Sequence, residues 1–281
     1  MRLLALIALM LVMGSISPVL SATDVRISGS TTVLPLASVC AESFNSEQSD
    51  YRVTVTGGGT GVGITDLGEG RSDIAMASRE VTDTERSKYE TADRKFNEIL
   101  VGYDGIVVAV SPQIYEAGVR ALTKEQVRMI YAGEISNWKD LGGPDRKIYA
   151  IARRAGSGTR DTFNEVIMGS KEAETPGVST EAADNSEVKT AIKGSDKAIG
   201  YLGYSYAADG AVKGVALDGV EPTVDNIKSG EYPLARKLYF YTLGRPTPGA
   251  QAFIDFVLSS RGQALAEKTG YIPVRVLDLN I

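Results

Sequence analysis

Residues 148–163 read IYAIARRAGSGTRDTF, which predicts a strand, a turn of small residues and the start of a helix. The run 148–152 is apolar and β-prone, and Phe163, Val166 and Ile167 share one face of the helix that follows. This arrangement aims free backbone N–H groups and the positive end of a helix at an anion. For this stretch alone, an ordinary capped turn between a strand and a helix is the alternative.

The side chains of this turn are of the kind that bind oxyanions. Ser157 and Thr159 supply hydroxyl donors next to the small residues Gly156 and Gly158. A guanidinium fork that fits a tetrahedral oxyanion comes from one of two adjacent arginines, Arg153 or Arg154, and the pattern leaves the choice open.

The same arrangement occurs near the start of the exported chain. The short strand 25–27 is followed by Gly29 and by three hydroxyl residues in a row, Ser30, Thr31 and Thr32. The helix after them has Pro35 in its first turn, where proline is well tolerated. A helix cap requires only one hydroxyl, so three of them favour a ligand.

A third instance follows the alternating strand 51–56. The glycine-rich segment 57–63 leads into a helix and contributes Gly59 and Thr60 as candidates. Its glycines do not fit the dinucleotide-binding fingerprint, because the position of the last required glycine holds another residue. They are better suited to let the backbone approach a small ligand closely.

A fourth strand, 73–77, ends at Ser78 and Arg79, so a further hydroxyl and a further guanidinium lie at a strand end. A plain surface loop is the alternative at this position. The ligands of open α/β sheets bind outside the carboxyl ends of the strands, and all four candidate loops lie at such ends.

Composition excludes several classes of function. The chain of 281 residues has a net charge of −5 and no basic run, which argues against binding to nucleic acid. It contains no histidine, which removes the Ser-His and Cys-His nucleophile systems and the usual zinc sites. The single cysteine, Cys40, allows no intrachain disulfide, and we expect it to be buried on a helix face and inert.

The N-terminal residues 1–22 predict a secretory signal peptide. One arginine precedes an apolar run from Leu3 to Met13, and small residues follow up to Ala22. The run is short for a membrane span, although an uncleaved signal that anchors the chain is the alternative. We therefore expect an exported protein, either periplasmic or associated with the cell surface.

Strands and helices alternate along the rest of the chain, which predicts an α/β fold with largely parallel sheets. The apolar run 97–110 is too long for one ordinary strand, so we expect it to cross between two domains, with 237–242 as a second crossing. The segment 169–184 is interpreted as irregular and 250–265 as one amphipathic helix. Two domains with two crossings place the candidate loops on opposite sides of a ligand cleft.

Several motifs, taken in order, resemble the phosphate-binding proteins of ABC phosphate importers. They are GSTTVLP at 29–35, GGTGVG at 58–63, ASR at 77–79, YAGEISNW at 131–138, GSGT at 156–159, AIGY at 198–201 and the segment 251–270. The resemblance implies a two-lobed type II periplasmic-binding-protein fold with two interdomain crossovers. It places lobe 1 at 23–103 plus 238–281 and lobe 2 at 104–237.

The resemblance also implies capture of inorganic phosphate and its delivery to the permease subunits of an ABC transporter, without a chemical reaction. It implies no cofactor and no metal, and we expect a monomer. Combined with the loop analysis, it gives the predicted phosphate-binding residues Ser30, Thr31, Thr32, Gly59, Thr60, Ser78, Arg79, Arg153, Gly156, Ser157, Gly158 and Thr159.

Two departures from the family pattern bear on specificity. Some members have an aspartate that accepts the proton of monohydrogen phosphate where this chain has Arg79, and some have an acid where it has Ala155. Sulfate carries no such proton, so a receptor for sulfate or molybdate is one alternative. A phosphatase-type hydrolase with Ser157 as nucleophile is a second, and a surface protein that uses the scaffold for adhesion or regulation is a third.

Overall fold

The computed structural model describes residues 22–274, over which strands and helices alternate as predicted. The strands are β1 (Thr23–Gly29), β2 (Tyr51–Gly57), β3 (Ile74–Ala77), β4 (Phe96–Val110), β5 (Ala121–Leu122), β6 (Tyr149–Arg153), β7 (Val178–Ala182), β8 (Ala198–Gly203), β9 (Lys213–Gly214), β10 (Ala216–Leu217) and β11 (Ala235–Leu243). The predicted signal peptide, residues 1–22, lies outside the described residues except for Ala22.

The α-helices lie between these strands and after the last of them. They are α1 (Leu34–Glu47), α2 (Thr60–Gly68), α3 (Asp83–Tyr89), α4 (Pro112–Glu116), α5 (Lys124–Tyr131), α6 (Gly158–Phe163), α7 (Asn185–Lys193), α8 (Tyr204–Ala207), α9 (Val224–Ser229), α10 (Pro248–Leu258) and α11 (Ser260–Lys268). Between Ala22 and Val274, no helix is long and apolar enough to cross a membrane.

The long strand β4 joins the two halves of a nine-stranded sheet whose order is β2-β1-β3-β11-β4-β8-β6-β7, with β9 also paired to β4. Its first part, up to Gly105, pairs with β11, and its second part, from Ile106 onward, pairs with β8. The outer strands are parallel, as predicted, whereas both long strands run antiparallel to their neighbours. Antiparallel pairing arises because β4 leads the chain out of the first half and β11 brings it back.

Separate apolar cores stabilise the two halves. In the first, α1 buries Leu36, Cys40 and Phe44 against β1, and Phe44 meets Phe253 of α10 edge to face. In the second, Trp138 is fully buried, and its indole N–H donates to the carbonyl of Lys197. Burial raises the pKa of Cys40 to about 12, so the thiol is inert, as expected.

Three local predictions were wrong. The segment 169–184 is not wholly irregular, because it contains β7, an edge strand too polar to be recognised from its pattern. The helix predicted over 250–265 is two helices, since Ser259 adopts an extended conformation and caps α11. Val166 is exposed rather than inward, because a wider π turn over Asn164–Met168 changes the phase of that helix.

Candidate anion-binding site

The four candidate loops meet where the two halves of the sheet face each other. Three of them follow the neighbouring parallel strands β1, β2 and β3, and the fourth follows β6 in the other half. The hydroxyl oxygens of Thr32 and Thr159 lie 3.0 Å apart across this boundary. The N–H of Gly61 donates to the carbonyl of Gly156, also at 3.0 Å. The sheet therefore brings together segments that are far apart in the sequence.

Glycine makes this close approach possible at two positions. A Cβ atom on Gly158 would lie 2.6 Å from Thr60 Oγ1 and 2.7 Å from Ser78 Oγ, both on the opposite side of the boundary. Gly59 has a φ of +101°, which residues with a side chain rarely adopt, and a Cβ there would lie 3.2 Å from the Gly156 carbonyl oxygen. Larger residues would hold the two halves apart.

Arg153, rather than Arg154, is the arginine that faces this region. Arg153 is 1% exposed, whereas Arg154 is exposed to solvent. Its guanidinium donates to Asn185 Oδ1 at 3.1 Å, to Thr31 Oγ1 at 3.2 Å and to the Ala183 carbonyl at 2.9 Å. Its buried Nε–H has no partner within residues 22–274.

No carboxylate among the described residues forms an ion pair with Arg153. Burial lowers the pKa of Arg153 to about 10, which means that the folded protein holds this positive charge at a cost. A buried cation of this kind is stabilised by an anion that supplies the missing charge and hydrogen bonds. The arrangement is therefore suited to an oxyanion.

A second buried arginine lies in the same region and was not predicted. Arg236 of β11 pairs with Asp104 of β4, at 2.8 Å from Nη2 and 3.1 Å from Nε. The guanidinium also donates to Thr159 Oγ1 at 2.9 Å and to Thr32 Oγ1 at 3.1 Å. Burial raises the pKa of Asp104, and the charge of Arg236 opposes that rise. Asp104 thus forms an ion pair with Arg236, whereas Arg153 has no such pair among residues 22–274.

Asn185, at the start of α7, and Asp104 were not predicted either. Asn185 is fully buried, and its Nδ2 donates to Thr32 Oγ1 at 3.1 Å and to Thr31 Oγ1 at 3.4 Å. Asp104 could have been recognised from the sequence, because it is a charged residue inside the apolar run 99–110 and a buried charge needs a partner. Nothing in the local sequence distinguishes Asn185 from an ordinary helix-start residue.

Two tyrosines fix the backbone of the first loop. The hydroxyl of Tyr206 donates to the Thr31 carbonyl at 2.7 Å, and that of Tyr271 donates to the Thr32 carbonyl at 2.6 Å. Burial raises the pKa of Tyr206 to about 12, with a smaller contribution from Asp184, so this hydroxyl remains a donor. The loop is thus held from the side of α8 and from the C-terminal segment.

Arg79 is bound by other side chains of the protein. Its Nε donates to Asp161 of α6 at 2.6 Å, and its two terminal nitrogens donate to Glu85 at 2.8 and 2.9 Å. The Glu80 carbonyl accepts a further bond at 2.9 Å, so four of the five N–H donors of a guanidinium are used. Although burial opposes the charge, Glu85 and Asp161 outweigh it and raise the pKa of Arg79.

The other predicted residues have the following positions. Ser30, Thr31, Thr32, Thr60, Ser78, Ser157 and Thr159 are all buried at the boundary, together with Gly59 and Gly158, while Gly156 is exposed. Ser157 also caps α6 by accepting from the Arg160 N–H, and Ser30 Oγ accepts from the Thr32 N–H. Their contact with an anion remains a prediction.

Comparison with known proteins places the chain in a family. A family model described as a PBP superfamily domain matches residues 18–261. The phosphate-binding protein PstS of Bacillus subtilis is 36% identical over 253 residues, which cover 89% of this chain and 81% of that protein.

Solved structures are similar over the same extent. A putative phosphate ABC transporter substrate-binding protein from Clostridium perfringens, solved with bound phosphate, has a TM-score of 0.81 at 34% identity and covers 90% of this chain and 100% of that chain. An ABC-type phosphate transport receptor from Vibrio cholerae has a TM-score of 0.72 at 32% identity, with 89% and 100% covered. The chain therefore belongs to the PBP superfamily and, within it, to the PstS family of phosphate-binding proteins.

Proposed function

We propose that inorganic phosphate binds between the two lobes at Ser30, Thr31, Thr32, Gly59, Thr60, Ser78, Arg153, Gly156, Ser157, Gly158 and Thr159. The chain is an extracytoplasmic phosphate-binding protein that delivers its ligand to an ABC permease, and it is not an enzyme. The relatives described above favour this function over a receptor for sulfate or molybdate and over a hydrolase.

The observation that carries the proposed site is the state of Arg153. Its guanidinium is buried, it forms no ion pair with any carboxylate of residues 22–274, and its Nε–H is free to donate. Each charge-assisted hydrogen bond to a phosphate oxygen contributes about 1.5–3 kcal/mol. Two or three such bonds, together with the hydroxyls, suffice for micromolar or tighter binding.

We also propose that the lobes comprise 23–103 plus 238–281 and 104–237. The change of partner within β4, from β11 to β8 at Gly105 and Ile106, supports a boundary at this point. β11 begins at Ala235, close to the second proposed crossing. Tyr103 also bridges to Ile272, so the C-terminal segment returns to the same boundary.

For Arg79 we propose a role in holding the lobes together rather than direct contact with phosphate. Arg79 and Glu85 belong to the first proposed lobe and Asp161 to the second, so the pair between Arg79 and Asp161 crosses the cleft. The side chains of Arg79 and Asp161 are only 8% and 21% exposed, which protects the pair from solvent screening.

We expect Asp161→Asn to weaken phosphate binding about tenfold, mainly through faster dissociation, because it breaks a largely buried ion pair between the lobes. Stopped-flow displacement of bound phosphate measures this rate. Glu85→Gln is the matched control, since it removes a partner that lies in the same lobe as Arg79. We expect this variant to lower the melting temperature more than it changes the dissociation rate of phosphate. Unchanged dissociation in Asp161→Asn would contradict the proposed role.

We expect Gly158→Ala to lower phosphate affinity about tenfold or more while the ligand-free melting temperature stays within a few degrees. The added methyl group meets Thr60 and Ser78 across the cleft, so it opposes closure. Alanine is itself a better helix former than glycine, so α6 is not weakened. Calorimetric titration with phosphate and a thermal melt separate the two effects, and an unchanged affinity would rule out a closed cleft of this geometry.

The function is tested by calorimetric titration of the purified, phosphate-stripped protein. We expect micromolar or tighter binding of phosphate at one site per chain, with sulfate as the competitor that measures specificity. The absence of heat with phosphate would overturn the proposed function.

A further inference from the structure

Arg236 and Asn185 determine which way the threonine hydroxyls of the site point. Asn185 Oδ1 accepts from Arg153 Nη1 at 3.1 Å and from the Gly203 N–H at 3.3 Å. The orientation of the amide is thereby fixed, because only its Nδ2 is left to face the hydroxyls of Thr31 and Thr32.

A hydroxyl oxygen accepts two hydrogen bonds and donates one. Thr32 Oγ1 receives Asn185 Nδ2 and Arg236 Nη2, each at 3.1 Å, so both of its acceptor positions are filled. In the 3.0 Å contact between the two threonines, Thr32 must therefore be the donor and Thr159 the acceptor.

Both acceptor positions of the Thr159 hydroxyl are then filled in the same way. Its Oγ1 accepts from Thr32 and from Arg236 Nη1 at 2.9 Å, which leaves its own proton to donate elsewhere. Thr31 Oγ1 accepts from Arg153 Nη2 at 3.2 Å and from Asn185 Nδ2 at 3.4 Å, and its proton is free as well. The hydrogen bonds are therefore donated in one direction, from the guanidinium groups of Arg153 and Arg236 and the amide of Asn185 to the threonine hydroxyls, and from these toward the cleft.

We propose that Arg236 is a positioning residue for the anion. The bond that Arg236 donates to Thr159 and the bond that Thr32 donates to it fill both acceptor positions of the Thr159 hydroxyl, so this hydroxyl presents its proton to the ligand. Asp104 holds Arg236 in place, with Oδ2 bound to the guanidinium and Oδ1 accepting from the Tyr204 N–H at 3.1 Å. This inference rests on the proposed phosphate site. It also means that Thr32 gives its only proton to Thr159 and acts on the anion through that residue, whereas Thr31 and Thr159 meet the anion as donors, so the proton of monohydrogen phosphate is accepted elsewhere in the site.

The test is a mutant cycle that combines the pair Arg236→Gln and Asp104→Asn with Thr159→Val. The paired change removes both charges at once, so the net charge of the site is unchanged and neither member of the pair is left as an unpaired buried ion. Thr159→Val keeps the shape of the side chain and removes its hydroxyl. Phosphate affinity is measured by calorimetry for the wild type, both variants and their combination.

We expect the paired change to weaken phosphate binding about tenfold in the wild-type background but about threefold or less when Thr159 is valine. A purely structural role for Arg236 predicts the same loss in both backgrounds, and equal losses would overturn the proposal. So would wild-type affinity in the paired variant. If the wild type itself does not bind phosphate, the proposed function fails rather than this inference.

Two further proteins complete the design. Arg26→Gln with Asp73→Asn is the matched control, because it applies the same chemical change to an ion pair at the surface of the first lobe, where we expect no effect on affinity. Should the paired variant not fold, Arg236→Lys takes its place in the cycle. The ammonium group of this lysine still faces Asp104 but does not reach the hydroxyls of both Thr32 and Thr159. We therefore expect the same result, a larger loss of phosphate affinity in the wild-type background than in the Thr159→Val background.

Discussion

Arg153→Gln is expected to lower phosphate affinity about a hundredfold or more, which corresponds to about 3 kcal/mol. Among the buried arginines of the described site, Arg153 alone forms no ion pair with a carboxylate, and its free Nε–H is available to donate to a ligand. Glutamine keeps a polar group of similar length but has no charge. Calorimetric titration with phosphate measures the loss directly.

The same substitution should leave the ligand-free protein as stable as the wild type, or more stable. Burial lowers the pKa of Arg153, so its charge costs the folded state free energy that an uncharged side chain does not. A melt without phosphate measures this. Lower affinity with retained stability separates a binding residue from a structural one.

Arg154→Gln is the matched control, because it makes the same change at the neighbouring, exposed arginine. We expect its phosphate affinity to remain within about twofold of the wild type. Comparable losses in the two variants would mean that the general positive charge of the loop, rather than the buried guanidinium, attracts the anion.

Phe163→Ala is expected to destabilise the protein by about 3–5 kcal/mol, with a fall in melting temperature on the order of 10 °C. Phe163 is fully buried and stacks on Tyr201 with ring centroids 3.9 Å apart, and its ring centroid lies 4.8 Å from that of Tyr131. The hydroxyl of Tyr201 accepts from the Arg153 N–H at 3.1 Å. Loss of the ring therefore removes support from the binding loop as well as from the core.

Val166→Ala provides the comparison for this variant. Val166 is only three residues away but 40% exposed, so its truncation should change the free energy of unfolding by less than about 0.5 kcal/mol. Thermal melts of the two variants test the contrast. A large effect at Val166, or a small one at Phe163, would contradict the packing described for α6.

The loops of the site were predictable because each is a local pattern. A strand, glycines, hydroxyl residues and a helix start follow one another within about ten residues, and their chemistry alone indicates an oxyanion. The long strand β4 was equally visible, since an apolar run of that length exceeds an ordinary strand. These features depend on neighbouring residues and are set by the sequence itself.

The residues that were missed depend on long-range pairing. Asp104 and Arg236 are 132 positions apart and meet only because β4 and β11 pair with these two residues opposite each other. The contact of Arg79 with Asp161 likewise requires the two lobes to face each other. Sequence patterns show which side chains carry charge, but partners at this distance are determined by the sheet.

A crystal structure of the protein with bound phosphate tests the proposed site most directly. We predict one phosphate between the lobes, with an oxygen within hydrogen-bond distance of Arg153 Nε and others near the hydroxyls of Thr31 and Thr159. Density for phosphate outside the cleft, or within it but without contact to Arg153, would contradict the proposed binding of phosphate by this arginine.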